Sequence, residues 1–140
     1  MTAPLPRSHE CPIRVYIPDT DYGNVVHHPT FLIYAERART EMLRDVGIHQ
    51  SSLKKDHGFM FVVSKAELVY KASARLDDLL MVSTVVDEYS KVRMRFTQII
   101  KRDDLILAEV KVEVAAISEA GKPARMPQSF LDSLAHYLPR

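Results

Sequence analysis

The sequence predicts an α+β domain in which one curved antiparallel sheet of about five strands wraps a long central helix. Three observations carry that expectation. A lone strand-like segment is followed by one long amphipathic helix. After the helix come about four long segments with strand-like alternation and no second long helix among them. The helix is also more apolar than a surface helix needs, so a sheet that curls round it accounts for the surplus.

The elements follow in order. Residues 1–11 read as a loose arm. Ile13, Val15 and Ile17 alternate with Arg14 and Tyr16, which predicts a strand over 12–17 that Pro18 closes. Asp19 to Asn24 has turn chemistry, with Gly23 available for a positive φ. Phe31, Leu32, Tyr34, Ala35, Ala38, Met42, Leu43 and Val46 recur at helical spacing. Glu36, Arg37, Arg39, Glu41 and Arg44 occupy most of the other face, Pro29 suits the first helical turn, and Gly47 suits a position just past the end. A short helix or irregular loop over 51–57 ends at Gly58. Strands are expected over 59–71, 79–89, 91–101 and 106–117, with turns at Arg102-Asp103-Asp104 and Glu119-Ala120-Gly121-Lys122. A short helix over 128–138 presents Phe130, Leu131, Leu134 and Tyr137. With no repeat and no low-complexity stretch, 1–140 reads as a single domain.

Composition narrows the function classes. A formal net charge of +1 supplies no global field for nucleic acid or an anionic membrane. Cys11 is the only cysteine, so an intramolecular disulfide and a cysteine-based zinc site are both excluded. Met1 to Pro12 lacks the apolar core of a secretory signal, and no apolar run approaches the ~20 residues that span a bilayer. A cytoplasmic protein without its own membrane anchor is the expectation.

The densest chemistry lies in Asp19-Thr20-Asp21-Tyr22-Gly23-Asn24-Val25-Val26-His27-His28-Pro29. Here two carboxylates, a glycine turn and two histidines sit at the start of the long helix. A helix N-terminus offers backbone N–H groups and a partial positive charge to a developing oxyanion. A carboxylate facing it can attack a carbonyl or activate water, and this points to acyl-transfer hydrolysis. Taken alone, Asp21 would be a turn former or a cap. Adjacent histidines point different ways and no third ligand is spaced to join them, so no metal site is expected. Ser64 lacks the partners of a serine-hydrolase triad.

That segment, followed by Phe31-Leu32-x-Tyr34-x-Glu36-Arg37-Ala38-Arg39-x-Glu41-x-Leu43, resembles the hotdog-fold acyl-CoA thioesterases of the 4-hydroxybenzoyl-CoA thioesterase type, and is most similar to the branch associated with the bacterial Tol-Pal system. The resemblance covers nearly the whole chain in element order. It implies a hotdog fold, with active sites at the interface of a homodimer or homotetramer. It also implies hydrolysis of an acyl-CoA to free acid and coenzyme A. The family's catalytic aspartate falls on Asp21, as nucleophile or general base. The backbone oxyanion donor and the histidine common in this branch both fall on His28. His27 departs from the branch, which often has tyrosine there, and this bears on the shape of the acyl pocket.

Around these two residues, Tyr22, Gly23, Val26 and His27 are expected to contact substrate. Lys91, Arg93 and Arg95 either form a solvated strand face or bind coenzyme A phosphates; Lys71 and Arg75 are further basic candidates. Asp19 and Glu36 are candidates for supporting roles, Asp19 as a turn former and Glu36 as an acid reaching a neighbouring site. Coenzyme A enters as part of the substrate, with no separate cofactor. An acyl carrier protein is an alternative acyl donor. The competing readings are a non-catalytic acyl-CoA or acyl-carrier-protein binding partner in a lipid or envelope complex, and a hotdog dehydratase, whose His-centred motif is not found here.

Overall fold

The structure is a computed structural model that describes residues 7–139. Five antiparallel strands form one sheet: β1 (His9–Arg14), β2 (Met60–Tyr70), β3 (Leu79–Tyr89), β4 (Arg93–Arg102) and β5 (Leu105–Ile117). Their order across the sheet is β1-β3-β4-β5-β2, which leaves β1 and β2 on the edges. The long helix α1 (Thr30–Asp45) lies in the concave face. A short helix α2 (Leu53–His57) leads into β2, and α3 (Gln128–Ser133) follows β5. This is the expected hotdog arrangement.

Period-2 patterning sets the faces. Leu80, Val82 and Val86 of β3, Met94, Phe96 and Ile100 of β4, and Val110, Val112, Val114 and Ala116 of β5 point inward. They meet Phe31, Tyr34, Ala35, Ala38 and Met42 of the helix. The small Ala35 and Ala38 let the helix backbone approach the sheet. Phe130 of α3 plugs one end of the core, its ring 5.0 Å from that of Phe59. The outer face carries Arg93, Arg95 and Glu113.

Three local expectations need correction. The sequence suggests a loose arm over 1–11, but β1 already begins at His9; residues 1–6 lie outside the described residues. Cys11 and Ile13 face the core opposite Val82 and Leu80. Pro12 does not start the strand; it is tolerated within it because β1 is an edge. The strand also ends sooner than expected. Ile17, expected to face inward, is 74% exposed in a 3₁₀ turn over Ile17–Asp19. Finally, Arg39 is not on a solvated face. It is buried between α1 and β4, because the curved sheet covers more of the helix than one stripe.

Candidate active site

The chain leaves β1 and is sewn to the far end of the sheet before it reaches α1. Val15 donates its N–H to the Asp78 carbonyl, and Asp77 donates back to the Val15 carbonyl. The Asp19 carboxylate accepts the Tyr16 N–H at 2.9 Å and so closes the 3₁₀ turn. That carboxylate also lies beside the buried Tyr34 hydroxyl; burial first, and then this acid, raise the Tyr34 pKa above the ordinary tyrosine value. Asp19 therefore holds local structure in this fold.

Next comes a tight hairpin. Asp21 donates its N–H to the Val25 carbonyl at 2.9 Å, Asn24 donates to the Asp21 carbonyl at 3.1 Å, and Thr20 bridges Val26. The Asp21 side chain accepts the Gly23 N–H at 3.0 Å, an Asx turn that orients the carboxylate. The left-handed residue of this hairpin is Asn24, with φ 60°, where Gly23 was expected. Asn tolerates that conformation better than most residues. At Gly23 an added Cβ would make only ordinary contacts, 3.8 Å from Asp21 Oδ1 and from a Val25 methyl, so this position does not require glycine. Asp21, Tyr22 and Gly23 are all exposed.

The returning limb is fastened to the loop before β3. Val26 donates to the Ala74 carbonyl at 2.8 Å, Leu76 donates to the Asn24 carbonyl, and Val25 bridges Arg75. That loop is itself clamped by Asp78, whose Oδ2 accepts the Arg75 N–H and an Arg102 guanidinium N–H, each at 2.8 Å. Arg102 also reaches the Ser73 carbonyl at 3.1 Å.

The start of α1 is more specific than a generic helix N-terminus. Thr30, Phe31 and Leu32 spend their N–H groups on the carbonyls of His27, His28 and Pro29. Pro29 has none to offer. His27 donates its own N–H to the Asp19 carbonyl. The N–H of His28 has no acceptor among the described residues, and His28 is exposed. The hairpin thus brings an oriented carboxylate at Asp21 and an available amide donor at His28 into one short loop.

Tyr70 at the end of β2 is an addition that sequence reasoning missed. Its hydroxyl donates to the His28 carbonyl at 2.9 Å, and its ring stands edge-on to the His28 imidazole at 5.8 Å. No local motif links positions 42 residues apart; only the pairing of β2 with β5 carries Tyr70 there.

Lys91, Arg93 and Arg95 are not brought to this loop within one chain. Arg93 pairs with Ala115 in the sheet, at the end of β4 opposite Arg102, about 30 Å away at the ordinary strand rise. Arg93 and Arg95 are ion-paired to Glu113, and Arg95 also to Glu88. Lys71 and Arg75 lie at the Asp21 end, exposed and without an ion-pair partner among the described residues. Glu36 sits on α1 where two clefts meet. One, about 850 Å³, runs between β1 and α1; the other, about 440 Å³, lies between α1 and the edge of β2 and is lined by Phe61, Val62, Val63 and Phe96.

Five antiparallel strands wrapped round one long helix form a hotdog domain, and an acid and a backbone donor at the start of that helix are compatible with thioester chemistry. Comparison with known proteins agrees. Residues 15–134 match the thioesterase-like superfamily, and the chain belongs to that family. It is 39% identical over 126 residues to the acyl-CoA thioesterase YbgC of Haemophilus influenzae, covering 89% of this chain and 93% of that one. It is 38% identical over 122 residues to the acyl-CoA thioester hydrolase YbgC of Escherichia coli, covering 86% and 90%. A crystal structure of a probable thioesterase from Bartonella henselae superposes with a TM-score of 0.82 at 35% identity, covering 86% of this chain and all of that one.

Proposed function

We propose that this protein is an acyl-CoA thioesterase in which Asp21 is the nucleophile or general base and the His28 N–H is the oxyanion donor. One observation carries the reading: the loop that leads into α1 holds both an exposed, Asx-oriented carboxylate at Asp21 and, at His28, a backbone N–H with no acceptor among the described residues. Similarity to named acyl-CoA thioesterases over most of their length supports it.

The chemistry follows from those two groups. An Asp21 oxygen attacks the thioester carbonyl carbon, and negative charge gathers on the carbonyl oxygen, which the His28 N–H stabilises. Collapse expels the coenzyme A thiolate and leaves a mixed anhydride, which water hydrolyses. In the alternative route, Asp21 takes a proton from the attacking water and no anhydride forms. Either route consumes one water and yields the acid and the free thiol. A thiolate leaves with little need of protonation, so neither route requires a dedicated acid.

The working unit we propose is a homodimer joined along β2. Among the described residues that strand pairs only with β5, and its Met60, Val62, Val63, Val69 and Tyr70 are all exposed. A bare apolar edge of this kind invites a second strand. Antiparallel pairing of β2 with its copy would carry the partner subunit's Arg93 and Arg95 toward the Asp21 end. Basic residues from both chains, Lys71 and Arg75 included, would then be available for coenzyme A phosphates. No helix among the described residues is long and apolar enough to cross a membrane; we read the protein as acting in the cytoplasm.

Free-thiol release from short, aromatic and long acyl-CoAs, and from an acylated carrier protein, tests the reading with wild type and Asp21→Ala side by side. Cleavage by wild type that is lost in Asp21→Ala is expected. Retained cleavage in the variant overturns the role of Asp21. A folded wild type that binds acyl-CoA and cleaves nothing overturns the enzyme reading in favour of a binding module.

A further inference from the structure

We infer that Tyr70 is a positioning residue, whose hydroxyl fixes the direction of the His28 N–H; the inference rests on the thioesterase reading above. Two consecutive peptide planes set the direction of this donor. The plane between His27 and His28 carries the donor N–H at one side and the His27 carbonyl at the other, because the peptide is planar and trans. That carbonyl accepts the Thr30 N–H at 2.8 Å, so the first plane is held from the helix. The next plane, between His28 and Pro29, has no N–H, since its nitrogen belongs to proline. It can be anchored only through the His28 carbonyl.

Within the helix turn, that carbonyl receives only a long bond, from the Phe31 N–H at 3.3 Å. Tyr70 supplies the shorter one, 2.9 Å, from a different element of the fold. The tyrosine is in turn held from both sides, its ring 5.8 Å from the His28 imidazole and 5.9 Å from Phe31. The rigid sheet therefore reaches across to the second plane while the helix holds the first, and the N–H between the anchors is fixed. A donor aimed before the reaction costs no reorganisation when charge develops. The hydroxyl spends its proton on a backbone carbonyl, so its effect on the reaction passes through His28.

Tyr70→Phe tests this, because it keeps the ring contacts and removes only the O–H. With a cleaved acyl-CoA, kcat is expected to fall about three- to tenfold, the worth of one ordinary hydrogen bond, while KM stays at the wild-type value. The order parameter of the His28 N–H, measured by NMR relaxation, is expected to drop from about 0.85 toward about 0.6. Wild-type kcat, or a rise in KM at constant kcat, overturns the inference, the second by making Tyr70 a substrate contact. An unchanged His28 order parameter overturns it too. If wild type releases no thiol from any substrate, the thioesterase reading fails first, and the order parameter still decides whether Tyr70 holds His28.

Discussion

Arg39 donates to the side-chain oxygen of Gln98 at 2.9 Å inside the core, joining the middle of α1 to the middle of β4. Gln98 is fully buried and uses its amide nitrogen twice, toward the Ala35 carbonyl at 2.8 Å and the Thr84 hydroxyl at 2.9 Å. Burial pulls the Arg39 pKa below the ordinary guanidinium value, with the Glu36 charge acting in the opposite sense; a guanidinium nonetheless stays charged at any working pH. Its Cζ lies 6.0 Å from the centre of the Phe96 ring. Gln98→Leu should strand that buried cation and cost about 2–4 kcal/mol. Urea unfolding measures this. The double variant Arg39→Met/Gln98→Leu should recover part of the loss, because the buried cation goes with its acceptor, while the buried Thr84 hydroxyl still lacks the Gln98 donor. A double variant weaker than Gln98→Leu alone would refute the account.

The same pair shows where sequence reading stops. Alternation along a strand reveals that position 98 faces inward, and helical spacing reveals the Ala35–Ala38–Met42 stripe. Neither period says that the sheet curls far enough to enclose position 39 as well. The acid and donor of the candidate site were legible because both lie in one contiguous segment, Asp19 to Pro29. Tyr70 and the Asp78–Arg102 clamp were not legible, since each joins segments whose proximity exists only after the strands pair. The beginning of β1 was hidden for another reason. His9 and Glu10 have no apolar signature, and Glu10 is held in place by a hydrogen bond from Ser83 across the strands.

Asp21→Asn separates charge from geometry. The amide oxygen of asparagine can still accept the Gly23 N–H that Asp21 now accepts at 3.0 Å, so the hairpin should persist. The residue is exposed, and the unfolding free energy should change by no more than about 0.5 kcal/mol. What is lost is the anionic oxygen that attacks or takes a proton, and thiol release should fall by at least about a hundredfold. An active Asp21→Asn of wild-type stability would remove Asp21 from the mechanism.

Acid should loosen the loop beneath the site. Burial alone would raise the Asp78 pKa, but the Arg75 N–H and the Arg102 guanidinium outweigh it and hold the carboxyl below its ordinary value. A depressed folded pKa contributes stability that is present above the unfolded value, about 4, and is lost as pH falls through the folded one. Asp78→Asn should therefore be less stable than wild type at neutral pH, with the gap closing below about pH 4. Urea midpoints of the two proteins at neutral and acid pH decide it; a gap that is independent of pH contradicts the clamp. Because residues 25 and 26 rest on this loop, thiol release by the variant should also fall at neutral pH.

The edge of β2 presents apolar side chains to solvent. Val63 is 51% exposed there and Val62 is 41% exposed, beside the cleft of about 440 Å³ that α1 and Phe96 help to line. Apolar side chains on an unpaired edge are an aggregation hazard unless a second copy covers them. Val63→Lys places a charge on that edge without disturbing a buried contact within the chain, so the monomer should fold with a near wild-type circular dichroism spectrum. If β2 is the seam of the proposed homodimer, sedimentation should show Val63→Lys dissociating at concentrations where wild type stays dimeric. Thiol release should fall with the dimer, because the partner's basic residues then leave the Asp21 end. A dimer that persists in Val63→Lys would place the seam on another surface and would remove Arg93 and Arg95 from the reach of the site.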